Sequence, residues 1–187
     1  PSIEIAANND SVIVASGSLS NDPVLNITFT LSESTSNFSD SDVTLIGGAL
    51  SSFTSVSDTV YSAVFTPTRD GDATIRVNAD VFTDLSGNGN TASNSYEWTY
   101  DGTAPNISFN VVNEDNLIVQ DSSTTNDKKI YLTYTISENV SDFDESDLEI
   151  TGGAITSFTA TSSQVYTFIF TPNSDGETSI VLPVSAF

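Results

Sequence analysis

Apolar and polar residues alternate along most of this chain, in short runs separated by turn-forming residues. In Leu25–Leu31 every second residue is apolar, and Ile130–Ile136 repeats the pattern. Strict alternation is typical of a strand that packs one face on a core and turns the other to solvent. Tyr61–Phe65, Ala73–Ala79 and Tyr96–Tyr100 alternate in the same way. Since no stretch has a helical period, the sequence predicts an all-β protein.

Turn residues divide the chain into strands at intervals of roughly ten residues. Shorter strands are predicted near Ile3–Ile5, Val43–Ile46 and Leu50–Val56, which gives about seven strands in the first module. Gly47-Gly48 suits a tight hairpin that requires positive φ, and Pro67 ends the strand before it because proline cannot donate to a ladder. This pattern predicts an antiparallel β-sandwich of the immunoglobulin-like type, without its disulfide.

The same module occurs twice. Residues 29–82 align with residues 134–187 at a constant offset of 105, without a gap, and 23 of these 54 positions are identical. We therefore predict two tandem domains, residues 1–102 and residues 103–187. The connection around Asp101–Pro105 is too short for free movement, so restricted bending is expected. Repetition at this period indicates an array of modules and not an enzyme with one specialised cleft.

The two copies differ in length. After Phe82 the first copy continues through a loop to the strand Tyr96–Tyr100, whereas the second stops at Phe187, which aligns with Phe82. The second sandwich is therefore expected to lack its final strand in this chain and to expose an open edge. Two explanations stay open. The sequence was cut from a longer array, or a strand from a neighbouring molecule fills the gap, as in donor-strand assembly.

The charge balance excludes some partners. Lysine and arginine total 4 against 25 aspartates and glutamates, which gives a formal net charge of −21. Such a surface repels nucleic acid and anionic membranes, and no apolar run approaches the ~20 residues of a membrane helix. The carboxylates either form a solvated surface that keeps a β-rich chain soluble, or a few of them bind divalent cations.

Missing residue types exclude further chemistry. The chain has no cysteine and no histidine, so it lacks disulfides, thiolate nucleophiles and the usual zinc ligands. It begins with Pro1 and has no signal peptide, and we expect it to be part of a larger or processed chain. Paired carboxylates could still support glycoside hydrolysis, but nothing indicates a cleft that would perturb one of them. We predict that the chain is not an enzyme.

Several phrases carry a family resemblance: FTLSE, SDVTLIGGALSSFT, YSAVFTPTRDGDATIRV, FTDLSGNGN and YDGTAP. They resemble the bacterial immunoglobulin-like repeats of giant surface adhesins and biofilm proteins. The resemblance covers the first module and the second up to Phe187. It implies extracellular or cell-surface modules that extend and space a long chain, with neighbouring repeats of the same chain or fibre as partners. It also implies no catalytic activity and, in many related arrays, stiffening by calcium near domain junctions.

A calcium site is predicted at the junction on the basis of loop positions in such a sandwich. Calcium takes ~6–8 oxygen ligands, so a few converging carboxylates suffice. The six candidates lie in the turn before the predicted strand Ala73–Ala79, in the linker and in a loop of the second module: Asp70, Asp72, Asp101, Glu138, Asp144 and Asp147. A second acidic group is expected at the far end of the first module: Glu33, Asp40, Asp42, Asp84 and Asn88. The alternative is that these acids serve as turn, capping and solvated residues.

Three functions follow. The leading prediction is a structural spacer repeat of a long extracellular adhesin or surface fibre. The second is a subunit of a filament that assembles by donor-strand exchange with an identical subunit. The third is a calcium-assisted glycan-binding adhesin module, for which Phe38 and Tyr131 are candidate exposed aromatic residues. Trp98 alternates with Tyr96 and Tyr100 and is expected in the core.

Overall fold

Two β-sandwich units make up the chain, Pro1–Thr103 and Ala104–Phe187, in a computed structural model that describes residues 1–10 and 12–183. Phe187, on which the alignment with Phe82 ends, lies outside the described residues. The helical elements of the described part are short 3-10 turns at Asp40–Asp42 and Glu145–Asp147. The predicted all-β fold with two tandem immunoglobulin-like units is confirmed.

The first unit contains two packed sheets. Its strands are β1 (Ile3–Asn9), β2 (Val12–Ile13), β3 (Leu19–Ser20), β4 (Leu25–Leu31), β5 (Val43–Ile46), β6 (Gly48–Ser55), β7 (Val60–Pro67), β8 (Gly71–Val77) and β9 (Tyr96–Tyr100). One sheet has the order β2-β1-β4-β7-β6 and the other β3-β9-β8-β5. All pairs are antiparallel except β3 with β9, which run parallel.

The second unit repeats this plan in its described residues. Its strands are β10 (Ile107–Val112), β11 (Ile130–Ile136), β12 (Glu149–Thr151), β13 (Gly153–Ala160), β14 (Val165–Pro172) and β15 (Ser179–Val181). One sheet has the order β10-β11-β14-β13, and β12 pairs with β15 in the other. Within residues 104–183 the structure shows no counterpart of β9.

Each unit has its own core, formed by the alternating residues of facing strands. In the first unit Leu25, Ile27 and Phe29 are completely buried, as the period of two predicts. Trp98 is 2% exposed and packs edge to face on Phe65 at 4.8 Å between ring centroids. The prediction that Trp98 belongs to the core is therefore confirmed.

The sequence pattern did not predict two short strands. β2 and β3 have two residues each, so the described residues of the first unit form nine strands where about seven were predicted. Val12, Ile13 and Leu19 are 70%, 77% and 70% exposed, and their segment has no alternating buried face. β2 and β3 form because they pair with the backbone of β1 and β9. Their formation therefore depends on the tertiary structure and not on a local pattern.

The predicted hairpin at Gly47-Gly48 was wrong. β5 pairs with β8 and β6 pairs with β7, so the chain crosses from one sheet to the other at Gly47. Gly47 has φ 78°, and a Cβ there would collide with the backbone carbonyl of Asp72. Gly48 is needed for another reason, because a Cβ on it would overlap the ring of Phe65. The two adjacent glycines suggested a hairpin because they suit positive φ, but they do not indicate which strands pair on either side of them.

Candidate functional site

The predicted junction acids of the first unit hold the beginning of the linker. Asp70 accepts hydrogen bonds from the backbone N–H of Gly102 at 2.8 Å and from the hydroxyl of Thr103. Asp101 accepts from the backbone N–H of Thr103 at 3.4 Å, while Asp72 is exposed on β8. The hydroxyl of Thr103, followed by the Gly102 N–H, holds the pKa of Asp70 below its usual value. Asp70 and Asp101 thus both accept hydrogen bonds from Thr103, and Asp70 links this residue to the turn between β7 and β8.

The candidate acids of the second unit cap a 3-10 turn. Asp144 accepts from the backbone N–H of Ser146 at 2.7 Å, and Asp147 accepts from the backbone N–H of Asp144, also at 2.7 Å. The Ser146 hydroxyl and N–H hold the pKa of Asp144 below its usual value. Glu138 is half-buried in the loop before this turn. Asp144 and Asp147 therefore contact each other through a reciprocal capping box, which satisfies backbone donors that the short turn leaves free.

The described residues contain no group of three or more acidic side chains placed to hold a metal ion. The predicted calcium site draws ligands from both units, and it stays a prediction. The carboxylates of Asp70 and Asp144 accept hydrogen bonds from their own units. The structure therefore supports the alternative role of both residues in turns and caps.

The acids expected at the far end of the first unit are spread over three local structures. Glu33 lies 3.6 Å from the amino group of Pro1, and Asp42 accepts from the backbone N–H of Ser39 at 2.8 Å. Asp40 is exposed in the same 3-10 turn as Asp42. In the described residues only Asp84 and Asn88 of this group share a hydrogen bond, at 2.8 Å.

Asp84 accepts three hydrogen bonds from residues of the loop between β8 and β9. One carboxylate oxygen accepts from the backbone N–H groups of Ser86 at 2.8 Å and Asn88 at 2.9 Å. The other oxygen accepts from the side-chain amide of Asn88. Hydrogen bonds from the side chain and backbone of Asn88, joined by that of Ser86, lower the pKa of Asp84 from its usual 3.8. Asp84 is 9% exposed, so its ionised form is held in a defined geometry.

The lowered pKa of Asp84 predicts an acid-dependent contribution to stability. When the folded pKa lies below the unfolded value, the stabilisation is present above the unfolded value of 3.8 and is lost as the pH falls through the folded pKa. We expect Asp84→Asn to lower the melting temperature at about pH 7, and we expect the deficit relative to wild type to shrink below about pH 4. Thermal melts of both proteins across this range, at a salt concentration that screens long-range repulsion, measure the difference. A deficit that stays constant down to the lowest pH would contradict the assignment.

Sequence reasoning missed the most buried polar side chain of this loop. Asn90 is 2% exposed, and its carbonyl oxygen accepts from the backbone N–H groups of Val81 at 2.9 Å and Phe82 at 3.0 Å. Its amide donates to the carbonyls of Asn78 at 2.7 Å and Thr91 at 2.9 Å. The Asn90 side chain therefore adds to the backbone hydrogen bonds that join Asn90 to Asp80 and Phe82. The motif DLSGNGN contains it, but a one-dimensional pattern does not indicate which asparagine is buried.

A polar clasp that recurs in both units was also missed. In the first unit Asp22 accepts from the side chains of Asn9 and Ser20. In the second, Asp127 accepts from Asn113 at 3.3 Å and from Thr125. The signal that could have found the clasp is the shared phrase Ser/Thr-Asn-Asp before β4 and β11. The clasp of the first unit ties β1 to the segment before β4, and the clasp of the second unit ties Asn113, which follows β10, to the segment before β11.

The predicted exposed aromatic residue Phe38 is buried. It is 6% exposed and packs against Phe53 and Tyr61 at 5.5 and 5.1 Å between ring centroids. The prediction was wrong because Phe38 lies in a loop that folds back over the core, where polar sequence neighbours conceal its burial. Tyr131 is half-buried on β11. Neither residue supplies a fully exposed aromatic surface for a glycan.

The chain belongs to the family of bacterial Ig-like domains. The family profile matches residues 6–100 and again residues 101–187, which confirms the resemblance and the tandem arrangement. No curated protein matches the chain. None of the described residues forms a helix long and apolar enough to cross a membrane.

Three solved structures match the chain over most of its length at TM-scores below 0.5. Invasin, described as a bacterial integrin-binding protein, matches with a TM-score of 0.45 and 20% identity. The Escherichia coli adhesin FdeC matches with 0.43 and 14%, and domains 4–9 of the surface layer protein SbsC with 0.31 and 12%. These matches cover 95%, 91% and 95% of this chain, which spans 36%, 54% and 29% of theirs.

Proposed function

We propose that this chain is a non-catalytic spacer segment of a long adhesin-type protein or fibre on a bacterial cell surface. The observation that carries the proposal is the tandem repetition of one module. The two copies are identical at 23 of 54 aligned positions, and each unit forms its own hydrophobic core. Repetition of one self-contained module is expected when length is the useful property, because each repeat adds one unit to the chain.

The electrostatics support a role without catalysis. A general acid of the glycosidase type requires a raised pKa. The hydrogen bonds around Asp70, Asp84 and Asp144 instead lower the pKa of each carboxyl group. These groups stabilise turns in their ionised form. The net charge of −21 keeps chains apart and opposes pairing between exposed sheet edges.

A display experiment tests the spacer role. The segment is placed between a bacterial outer-surface anchor and a small reporter domain, and the height of the reporter above the cell is measured by fluorescence. The matched control is a glycine- and serine-rich linker of equal length, which forms a flexible coil. We expect the Ig-like segment to raise the reporter further than the linker does. Equal heights would contradict the spacer role, and binding of the segment alone to a glycan panel would favour the adhesive alternative.

The predicted junction calcium provides a separate test of stiffening. If Asp70, Asp101 and Glu138 contribute to a site together with other candidate acids, millimolar calcium should raise the melting temperature by at least about 4 °C over chelator. That shift corresponds to about 1 kcal/mol in a unit of this size. The double variant Asp101→Asn/Glu138→Gln should lose the response, and magnesium serves as the control cation. Identical melting in calcium and in chelator would exclude the site.

A further inference from the structure

The loop between β8 and β9 contains the single Asn-Gly dipeptide of the chain, Asn88-Gly89. An asparagine before a glycine is chemically labile, because the glycine nitrogen can attack the asparagine carboxamide and glycine has no side chain to hinder ring closure. Both residues are exposed to solvent, and the N–H of Gly89 donates to no residue of the described part of the chain. Water can therefore reach both reacting groups, and no hydrogen bond occupies the nucleophile.

Asp84 holds the carboxamide and the main chain of Asn88 at the same time. The side-chain amide of Asn88 donates to one carboxylate oxygen of Asp84 at 2.8 Å, and its backbone N–H donates to the other at 2.9 Å. The carbonyl oxygen of Asn88 accepts from the backbone N–H of Asp84 at 3.0 Å. Ring closure requires rotation about the Cα–Cβ and Cα–C bonds of Asn88, and these hydrogen bonds oppose both rotations.

The residues on either side fix the same stretch of main chain. Thr83 and Gly89 form an antiparallel bridge, and the backbone N–H of Asn90 donates to the carbonyl of Phe82 at 3.0 Å. Asn90 is 2% exposed, so its side chain anchors the main chain directly after Gly89. The nitrogen of Gly89 therefore cannot approach the carboxamide unless some of these bonds open first.

We propose that Asn88 is a site of spontaneous deamidation whose rate is controlled by its hydrogen bonds to Asp84. The nitrogen of Gly89 forms a bond to the carboxamide carbon of Asn88, and the bond from that carbon to the amide nitrogen breaks. The proton of the Gly89 nitrogen passes through water to the departing amide, which leaves as ammonia. Water then opens the cyclic imide at either carbonyl and yields aspartate or isoaspartate. Asp84 is a positioning residue in this reaction, which does not depend on the spacer role.

The product destabilises the loop. In the aspartate product an oxygen takes the place of the amide nitrogen that lies 2.8 Å from the Asp84 carboxylate. Two carboxylates so close together cannot both be ionised without a cost in free energy. In the isoaspartate product the main chain gains a methylene group, which displaces the carbonyl that accepts from Asp84. Deamidation thus replaces a stabilising contact by a repulsive or distorted one, and refolding does not restore it.

The rate of deamidation tests the proposal on the 187-residue chain. The proteins are incubated in mildly alkaline buffer, and mass spectrometry of proteolytic fragments assigns each converted asparagine. We expect Asp84→Ala to deamidate at Asn88 at least about tenfold faster than wild type, since it loses a hydrogen bond to a charged acceptor. Ile75→Val weakens the fully buried core of the same unit and should leave the rate unchanged. Asn94, exposed before Ser95, is the internal reference and should react equally in all three proteins.

Fluorescence of Trp98 shows whether each variant is folded. Should Asp84→Ala fail to fold, Asp84→Asn retains an acceptor for the two backbone N–H groups and should still deamidate faster than wild type. Asn88→Asp has the side chain of the aspartate product, and it should lower the melting temperature more than Asn88→Ala does, because it adds repulsion to the lost bond. The proposal would be overturned by unchanged or slower deamidation in the folded Asp84 variant, by equal acceleration in Ile75→Val, or by equal melting of the two Asn88 variants.

Discussion

Phe65→Ala is expected to destabilise the first unit by about 4 kcal/mol and to leave the second unit unchanged. Phe65 is fully buried and contacts Trp98 of the facing sheet, so truncation leaves a cavity between the sheets. Removal of a buried phenylalanine side chain costs ~3–5 kcal/mol when the surroundings cannot collapse into the cavity. Gly48 packs directly on the Phe65 ring, and its backbone cannot fill the space without disturbing the pairing of β6 with β7.

The single tryptophan makes this measurement specific for one unit. The chain has one tryptophan, and Trp98 is buried in the first unit, so the midpoint of the fluorescence transition in urea reports unfolding of that unit. Circular dichroism follows both units. The matched control Phe170→Ala removes the equivalent side chain of the second unit and should leave the fluorescence midpoint in place. A shift of that midpoint in the control would show that the units unfold as one.

Asn90→Ala should be nearly as damaging, with a loss of about 4 kcal/mol in the first unit. The substitution removes the partners of two backbone N–H groups and two carbonyls at once. Each buried polar group left without a partner costs ~1–3 kcal/mol, and water entering the opened loop offsets part of that sum. The same fluorescence transition in urea measures the effect, because the loop precedes the strand that contains Trp98.

Asn88→Ala is the matched control for Asn90→Ala. Asn88 is exposed, and its side chain donates to Asp84 alone among the described hydrogen bonds. Its truncation should cost about 1.5 kcal/mol, the lower end of the range for a hydrogen bond to a charged group, because Asn88 is exposed to solvent. Equal losses in the two variants would mean that the loop depends on the general presence of asparagine and not on the bonds of Asn90.

The candidate site was only partly predictable from the sequence, because the type of a residue does not determine which hydrogen-bond partners it has in the fold. The sequence singled out Asp84 and Asn88 as oxygen-bearing loop residues, and the structure brings them together. It also singled out Asp70 and Asp144, but each accepts from a backbone N–H group as well as from a hydroxyl. Every residue except proline carries such a group, so nothing in the residue types predicts which turn will use it. Capping boxes, by contrast, have a sequence spacing, and Asp144 with Asp147 could have been recognised from it.

The alternation of apolar residues determined the β class and the long strands, and the internal repeat determined the two-unit organisation. This was possible because a period of two and an internal repeat are properties of the chain alone. The tertiary structure decided which sheet each strand joins, as at Gly47, where the chain crosses from the sheet of β5 to the sheet of β6. It also decided that Phe38 is buried. The burial of a side chain depends on segments distant in sequence, and the ring of Phe38 packs on the rings of Phe53, Tyr61 and Phe82.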